Sequence, residues 1–227
     1  LPAAALVTNF DRQGLTLGEL ETLLHEFGHA LHGLLSSTRY ASQGGSSVKW
    51  DFVEAPSQML EDWVYDPKVL AVMQQVCPAC KPLPAEMVER AGRARHFAKG
   101  IATSRQLLFA GYDLALYGRQ PEAPLPLWER MEGATPLGHV PGTLFPAGFS
   151  HIATNYAAGY YGYMWSLAIA EDLRTAFAAD KLDPGVGRRY RESVLANGSQ
   201  MLPEELIERF LGRPGNRDAF FKSLNQQ

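Results

Sequence analysis

Leu23-Leu24-His25-Glu26-Phe27-Gly28-His29-Ala30-Leu31-His32 is the stretch on which the reading of this chain turns. Leu20, Leu23, Leu24, Phe27, Leu31, Leu34 and Leu35 recur at helical spacing, and Thr16-Leu17-Gly18-Glu19 ahead of them has the form of a capping box. The pattern predicts a helix from about Leu17 to Ser36. His25 and His29 are four residues apart, so a helix stacks them on one face. Two imidazoles so placed can hold one zinc ion, and Glu26, beside the first of them, can act as general base on a water in the metal's open position. The plainer alternative is an amphipathic helix whose histidines are ordinary core or surface groups. Gly28 argues against indifference at this spot: glycine inside a helix costs about 1 kcal/mol relative to alanine, which predicts that another segment passes close to it.

Zinc sites take at least three protein ligands, so one more has to come from elsewhere. The segment Asp51-Phe52-Val53-Glu54-Ala55-Pro56-Ser57-Gln58-Met59-Leu60-Glu61-Asp62-Trp63 belongs to a second expected helix, Asp51 to Asp66, and offers Glu54, Glu61 and Asp62. Its residues alone do not choose among the three. Asp51-x-x-Glu54 also fits a capping box, a role that competes for the same carboxylate. Taken together, His25-Glu26-Phe27-Gly28-His29 and Asp51-Phe52-Val53-Glu54-Ala55-Pro56-Ser57-Gln58 closely resemble the thimet oligopeptidase family of zinc peptidases. The resemblance implies one Zn2+ per chain, held by His25, His29 and Glu54, with Glu26 as general base. It implies hydrolysis of internal bonds in short peptides. Asp51 and Gln58, one turn to either side of Glu54, are candidates for orienting the ligands.

A second cluster lies at His151-Ile152-Ala153-Thr154-Asn155-Tyr156-Ala157-Ala158-Gly159-Tyr160-Tyr161-Gly162-Tyr163. Tyr156, Tyr160 and Tyr163 are spaced by four and three, so a helix would place them on one face. Such a stripe commonly packs in a core, but a core is better served by Phe, since a buried Tyr hydroxyl needs a partner. Attack on a carbonyl also creates an oxyanion that a phenol or imidazole can stabilise. The family resemblance extends here. It implies that His151 and Tyr163 stabilise the transition state and that Tyr156 and Tyr160 contact substrate. Thr154-Asn155 stands where family members often carry Gly-Gly, which implies a stiffer loop.

The remaining sequence sets bounds. The chain has 227 residues, 46% hydrophobic and 20% charged, with a net charge of −3, which fits a folded globular protein and offers no basic surface for nucleic acid. No apolar run approaches a membrane span. Helices are expected at about 68–76, 85–96 and 98–117 and again through most of the C-terminal third. Leu1–Phe10 and Val48–Trp50 read as strands. The expected fold is therefore mainly α, a helical zincin-type catalytic domain with a small β-sheet near the zinc helix. His32 reads as a packing or supporting residue and His139 as a surface histidine. Cys77-Pro78-Ala79-Cys80 is the sole cysteine pair and reads as a surface loop whose thiols can oxidise to a disulfide.

Members of the resembled family are much longer, and the chain starts at Leu1 without Met. Residues 1–227 are thus expected to be the C-terminal catalytic part of such an enzyme, cytoplasmic, with short peptides as substrates. Its further partners would be the missing N-terminal half or a second copy. Two alternatives stand beside the endopeptidase: a dipeptidyl carboxypeptidase of the same family, and a zinc-binding fragment that is inactive without the missing half.

Overall fold

Thr16 opens the first helix as its sequence context predicts. Its hydroxyl accepts from the Glu19 N–H at 3.2 Å, and the Glu19 carboxylate accepts from the Thr16 N–H at 2.8 Å. This satisfies two amides that a helix start leaves unpaired. The helix, α1, spans Leu17–Leu34. These details come from a computed structural model, which describes residues 2–225.

The second expected helix is present but broken. It consists of α2 (Trp50–Val53), α3 (Ala55–Glu61) and a 3-10 turn at Asp62–Tyr65. Pro56 explains the break, because proline has no N–H to donate and its ring crowds the carbonyl four residues back. Glu54 sits at the joint between α2 and α3. Ala55, Pro56, Ser57, Gln58 and Met59 are all buried, so α3 runs through the interior. It packs against α1 at Gly28, where a Cβ would lie 2.5 Å from the Pro56 carbonyl oxygen and 2.6 Å from Ser57 Cα. The close approach expected of Gly28 is therefore real. Gly45 makes a second one, since its Cβ would lie 2.2 Å from the His32 carbonyl oxygen.

The chain continues through α4 (Pro67–Val76), α5 (Ala85–Ala94), α6 (Lys99–Leu116), α7 (Pro124–Gly133) and α8 (Phe145–Gly148). It ends with α9 (Gly162–Arg174), α10 (Pro184–Ser193), α11 (Pro203–Leu211) and α12 (Asp218–Leu224). Asp66 and Asp183 start α4 and α10 by accepting main-chain N–H groups of the first turn, each with proline at the next position. Cys77 and Cys80 are joined as a disulfide in the loop after α4. No helix among the described residues is long and apolar enough to cross a membrane.

These elements form two compact units, Leu1–Phe97 with Ser166–Gln227, and Ala98–Trp165. The first is built on Phe52, Met59, Leu173, Phe177, Leu206 and Phe210. The second is an aromatic core in which Phe109, Tyr112 and Trp128 meet Phe145, Phe149 and Tyr160.

The small β-sheet is a point of correction: no strand occurs among the described residues. A strand needs a neighbouring strand to take its main-chain groups. Residues 2–10 make no main-chain hydrogen bond to another described segment, and Leu1 lies outside the described residues. Val48 is extended, but Trp50 already belongs to α2.

Candidate metal centre

α1 presents His25 and His29 on one face, and the joint before α3 brings Glu54 up to them. The His25 Nε2 atom lies 3.2 Å from Glu54 Oε2, and His29 Nε2 lies 3.1 Å from the same oxygen. One ligand atom from each residue lies within 4.8 Å of the others, and this is the cluster among the described residues that can take a metal ion. Ligand atoms placed tetrahedrally at the usual zinc distances sit about 3.3 Å apart. The two histidine-to-carboxylate spacings match that figure without rearrangement. Two nitrogens and one carboxylate oxygen are also a suitable donor set for zinc. The residues present therefore fit the ion.

Glu54 is 2% exposed, and its carboxylate is directed at the histidines instead of back to the main chain at Asp51. Ser57 helps set that direction. Its hydroxyl donates to Glu54 Oε2 at 3.0 Å and to the Glu54 carbonyl at 2.8 Å. On the far side of His25, Nδ1 lies 2.6 Å from Glu61 Oε1. A carboxylate in that position fixes the ring and its tautomer, leaving Nε2 toward the metal. Neither Ser57 nor Glu61 is the supporting group that sequence reasoning named. The main-chain carbonyls of Asp51 and Gln58 accept from Ser166 Oγ and from Arg174 respectively. A signal was present: Glu54, Ser57 and Glu61 recur at steps of three and four, the spacing of one helical face.

Burial pushes the His25 imidazole toward neutrality, but hydrogen bonds and charges from Glu54 and Glu61 outweigh it and raise its pKa to about 10. His32 shows the opposite. It is 1% exposed, and burial, with the nearby His29, lowers its pKa to about 4. Its Nε2 has no hydrogen-bond partner, so it is a packing residue. Glu26 is half-buried, and its carboxylate has no hydrogen-bond or ion-pair partner among the described residues. His139 is not a surface residue: it is half-buried, with Nδ1 2.7 Å from Glu132.

The second unit gathers the other sequence-predicted residues. His151 has ring-centroid distances of 5.9 Å to Tyr156, 5.9 Å to Tyr160 and 6.0 Å to Tyr163. Tyr156 stacks on Tyr163 at 4.9 Å, and Tyr160 meets Tyr163 at 5.0 Å. The shared helical face expected of the three tyrosines is not how they meet. α9 begins only at Gly162, and the preceding residues form turns. The amides of Ala158 and Tyr160, which a helix would pair with carbonyls four residues back, are taken by the Asp113 carboxylate.

Comparison with known sequences puts this geometry in context. The chain matches Peptidase family M3 over residues 1–226. It is 34% identical to saccharolysin of Saccharomyces cerevisiae, an alignment covering 100% of this chain and 34% of that protein. It is also 34% identical to oligopeptidase A of Escherichia coli, covering 97% of this chain and 35% of that protein. Mitochondrial intermediate peptidase of Pongo abelii is 31% identical over 99% of the chain and 33% of its own length. The chain thus spans about a third of the length of the curated relatives it matches. A family match along nearly its whole length agrees with the likeness of its two motif segments, and the chain belongs to peptidase family M3.

Proposed function

We propose that the chain carries the catalytic centre of a zinc endopeptidase that cleaves internal bonds of short peptides. The observation that carries this reading is the convergence of His25, His29 and Glu54 at the spacing of a tetrahedral zinc site. Membership of a peptidase family, with relatives named as oligopeptidases, supports the reaction class and the substrate class. When bound, zinc supplies Lewis acidity that polarises the scissile carbonyl and makes a water acidic enough to attack near neutral pH.

The chain's own residues have distinct tasks. His25, His29 and Glu54 offer three donors and leave the fourth direction open. Glu26, one residue beyond His25 and without a hydrogen-bond or ion-pair partner among the described residues, takes a proton from the attacking water and delivers it to the leaving amine. Tyr163 and His151 donate hydrogen bonds to the developing oxyanion, and Tyr156 and Tyr160 bind substrate. Glu61 and Ser57 keep His25 and Glu54 aimed.

Metal content by mass spectrometry, paired with cleavage of an internally quenched peptide, tests the assignment on the parent and on Glu26→Gln. We expect about one zinc per chain in both and turnover only in the parent. Absence of metal after reconstitution overturns the assignment. A second reading is supported by the coverage of only a third of the relatives' length: the chain binds zinc but turns over peptide only when joined by further polypeptide. Zinc in both proteins with turnover in neither would select it.

A further inference from the structure

Asp113 lies in α6 and is fully buried. One carboxylate oxygen accepts from the Ala158 N–H at 2.9 Å and the other from the Tyr160 N–H at 2.9 Å. A carboxylate is tolerated away from water only where hydrogen bonds replace the lost hydration. Here that replacement comes from two amides of one turn. The turn itself is under tension, because Ala158 has φ +56°, a left-handed conformation that a residue with a Cβ seldom adopts. Conformations of that kind persist when neighbours enforce them.

Two further contacts run from α6 and its C-terminal end to the same loop. Tyr160 Oη donates to Gln106 Oε1 at 3.1 Å, and Tyr117 Oη donates to the Ile152 carbonyl at 2.5 Å. Gln106, Asp113 and Tyr117 are spaced by seven and four, so one face of α6, continued to its C-cap at Tyr117, supplies all three. The loop they hold carries His151, Tyr156 and Tyr160 and leads into Tyr163. Within the three contacts, Asp113 is the one that acts on the main chain between the tyrosines.

We propose that Asp113 is a positioning residue for peptide hydrolysis, fixing the Ala158–Tyr160 turn so that His151, Tyr156, Tyr160 and Tyr163 present one ordered cluster to the substrate. The proposal rests on the reading above that these side chains serve the reacting peptide. Nothing in the metal centre requires Asp113, so its loss should leave zinc binding intact.

The test uses the zinc-loaded protein and an internally quenched peptide, with Asp113→Asn, Asp113→Glu and Tyr163→Phe measured side by side. Asp113→Asn keeps the size of the side chain but turns an amide donor toward a main-chain N–H. We expect faster hydrogen exchange at the Ala158 and Tyr160 amides, unchanged zinc stoichiometry and circular dichroism, and kcat lowered about 10- to 100-fold, the scale that a misplacement near 1 Å produces. Asp113→Glu retains both acceptors and should recover part of kcat. Faster exchange with parental kcat and KM overturns the positioning role. If Tyr163→Phe loses activity while Asp113→Asn does not, the positioning role fails alone. If Tyr163→Phe keeps full activity, the reading of the tyrosine cluster fails, and the proposal with it. Failure of both Asp113 variants to fold would make Asp113 a core residue and also overturn the proposal.

Discussion

Glu61 and His25 illustrate how one side chain conditions another. In the metal-free protein the two carboxylates around His25 hold its pKa at about 10, so the ring carries a proton at neutral pH. Zinc takes only the neutral imidazole. Uptake at pH 7 should therefore release about one proton from His25, read as a calorimetric enthalpy that changes with the ionisation enthalpy of the buffer. Affinity should rise as pH increases toward that pKa, because proton competition fades. A buffer-independent enthalpy would contradict the assignment. Glu61→Gln removes the charge behind the ring, and zinc affinity should fall by about 10-fold or more in chelator competition. The same change also eases proton competition at His25, so the loss should be greatest at high pH. Equal affinities there would show that Glu61 does not orient the ligand.

At the scale of elements, the site depends on how closely α1 approaches α3. Gly28→Ala is a sensitive test because local and tertiary effects oppose each other. Helix propensity favours alanine by about 1 kcal/mol. Against this, the new methyl group would meet main-chain atoms of Pro56 and Ser57 at 2.5 and 2.6 Å, and backbone cannot turn aside as a side chain can. Overpacking of this kind costs about 1–3 kcal/mol, so we expect net destabilisation of up to about 2 kcal/mol in urea unfolding. Zinc affinity should fall as well, since His29 stands on α1 and Glu54 at the head of α3. A stabilised variant with parental zinc affinity would mean that the two helices part without cost.

For the molecule as a whole, the proposed metal ligands belong entirely to the unit of Leu1–Phe97 with Ser166–Gln227, and the tyrosine cluster belongs to Ala98–Trp165. Each unit has its own core. On the proposed ligand set zinc would join α1 to the α2–α3 joint, and a ligand that binds only the folded state stabilises it by about 4 kcal/mol at a thousand times its Kd. Chelation should accordingly speed amide exchange in α1 and α3 while leaving α6 and α7 close to their original protection. Equal acceleration in both units would show that the metal governs their stability together.

Much of this architecture is present in local sequence. The Thr16–Glu19 box and the histidines four apart follow from helical geometry, which residues a few positions apart impose on one another, whereas the intolerance of Gly28 for a side chain comes from Pro56 and Ser57 of α3. Choosing Glu54 over Glu61 required something further. Both carboxylates lie on the same helical face, and only the break at Pro56 and the hydroxyl of Ser57 turn one toward the histidines while the other stands behind His25. The tyrosines show the same limit. Their spacing predicts a shared helical face, yet a buried acid 45 residues away captures the Ala158 amide and bends the chain into a turn that still brings the rings together. The expected sheet failed for a related reason, since an extended segment becomes a strand only when another segment accepts its hydrogen bonds. Periodicity and capping act over a few residues and determine where helices start and which side chains share a face. The partner that each polar group finds depends on distant segments, and only the tertiary structure decides it.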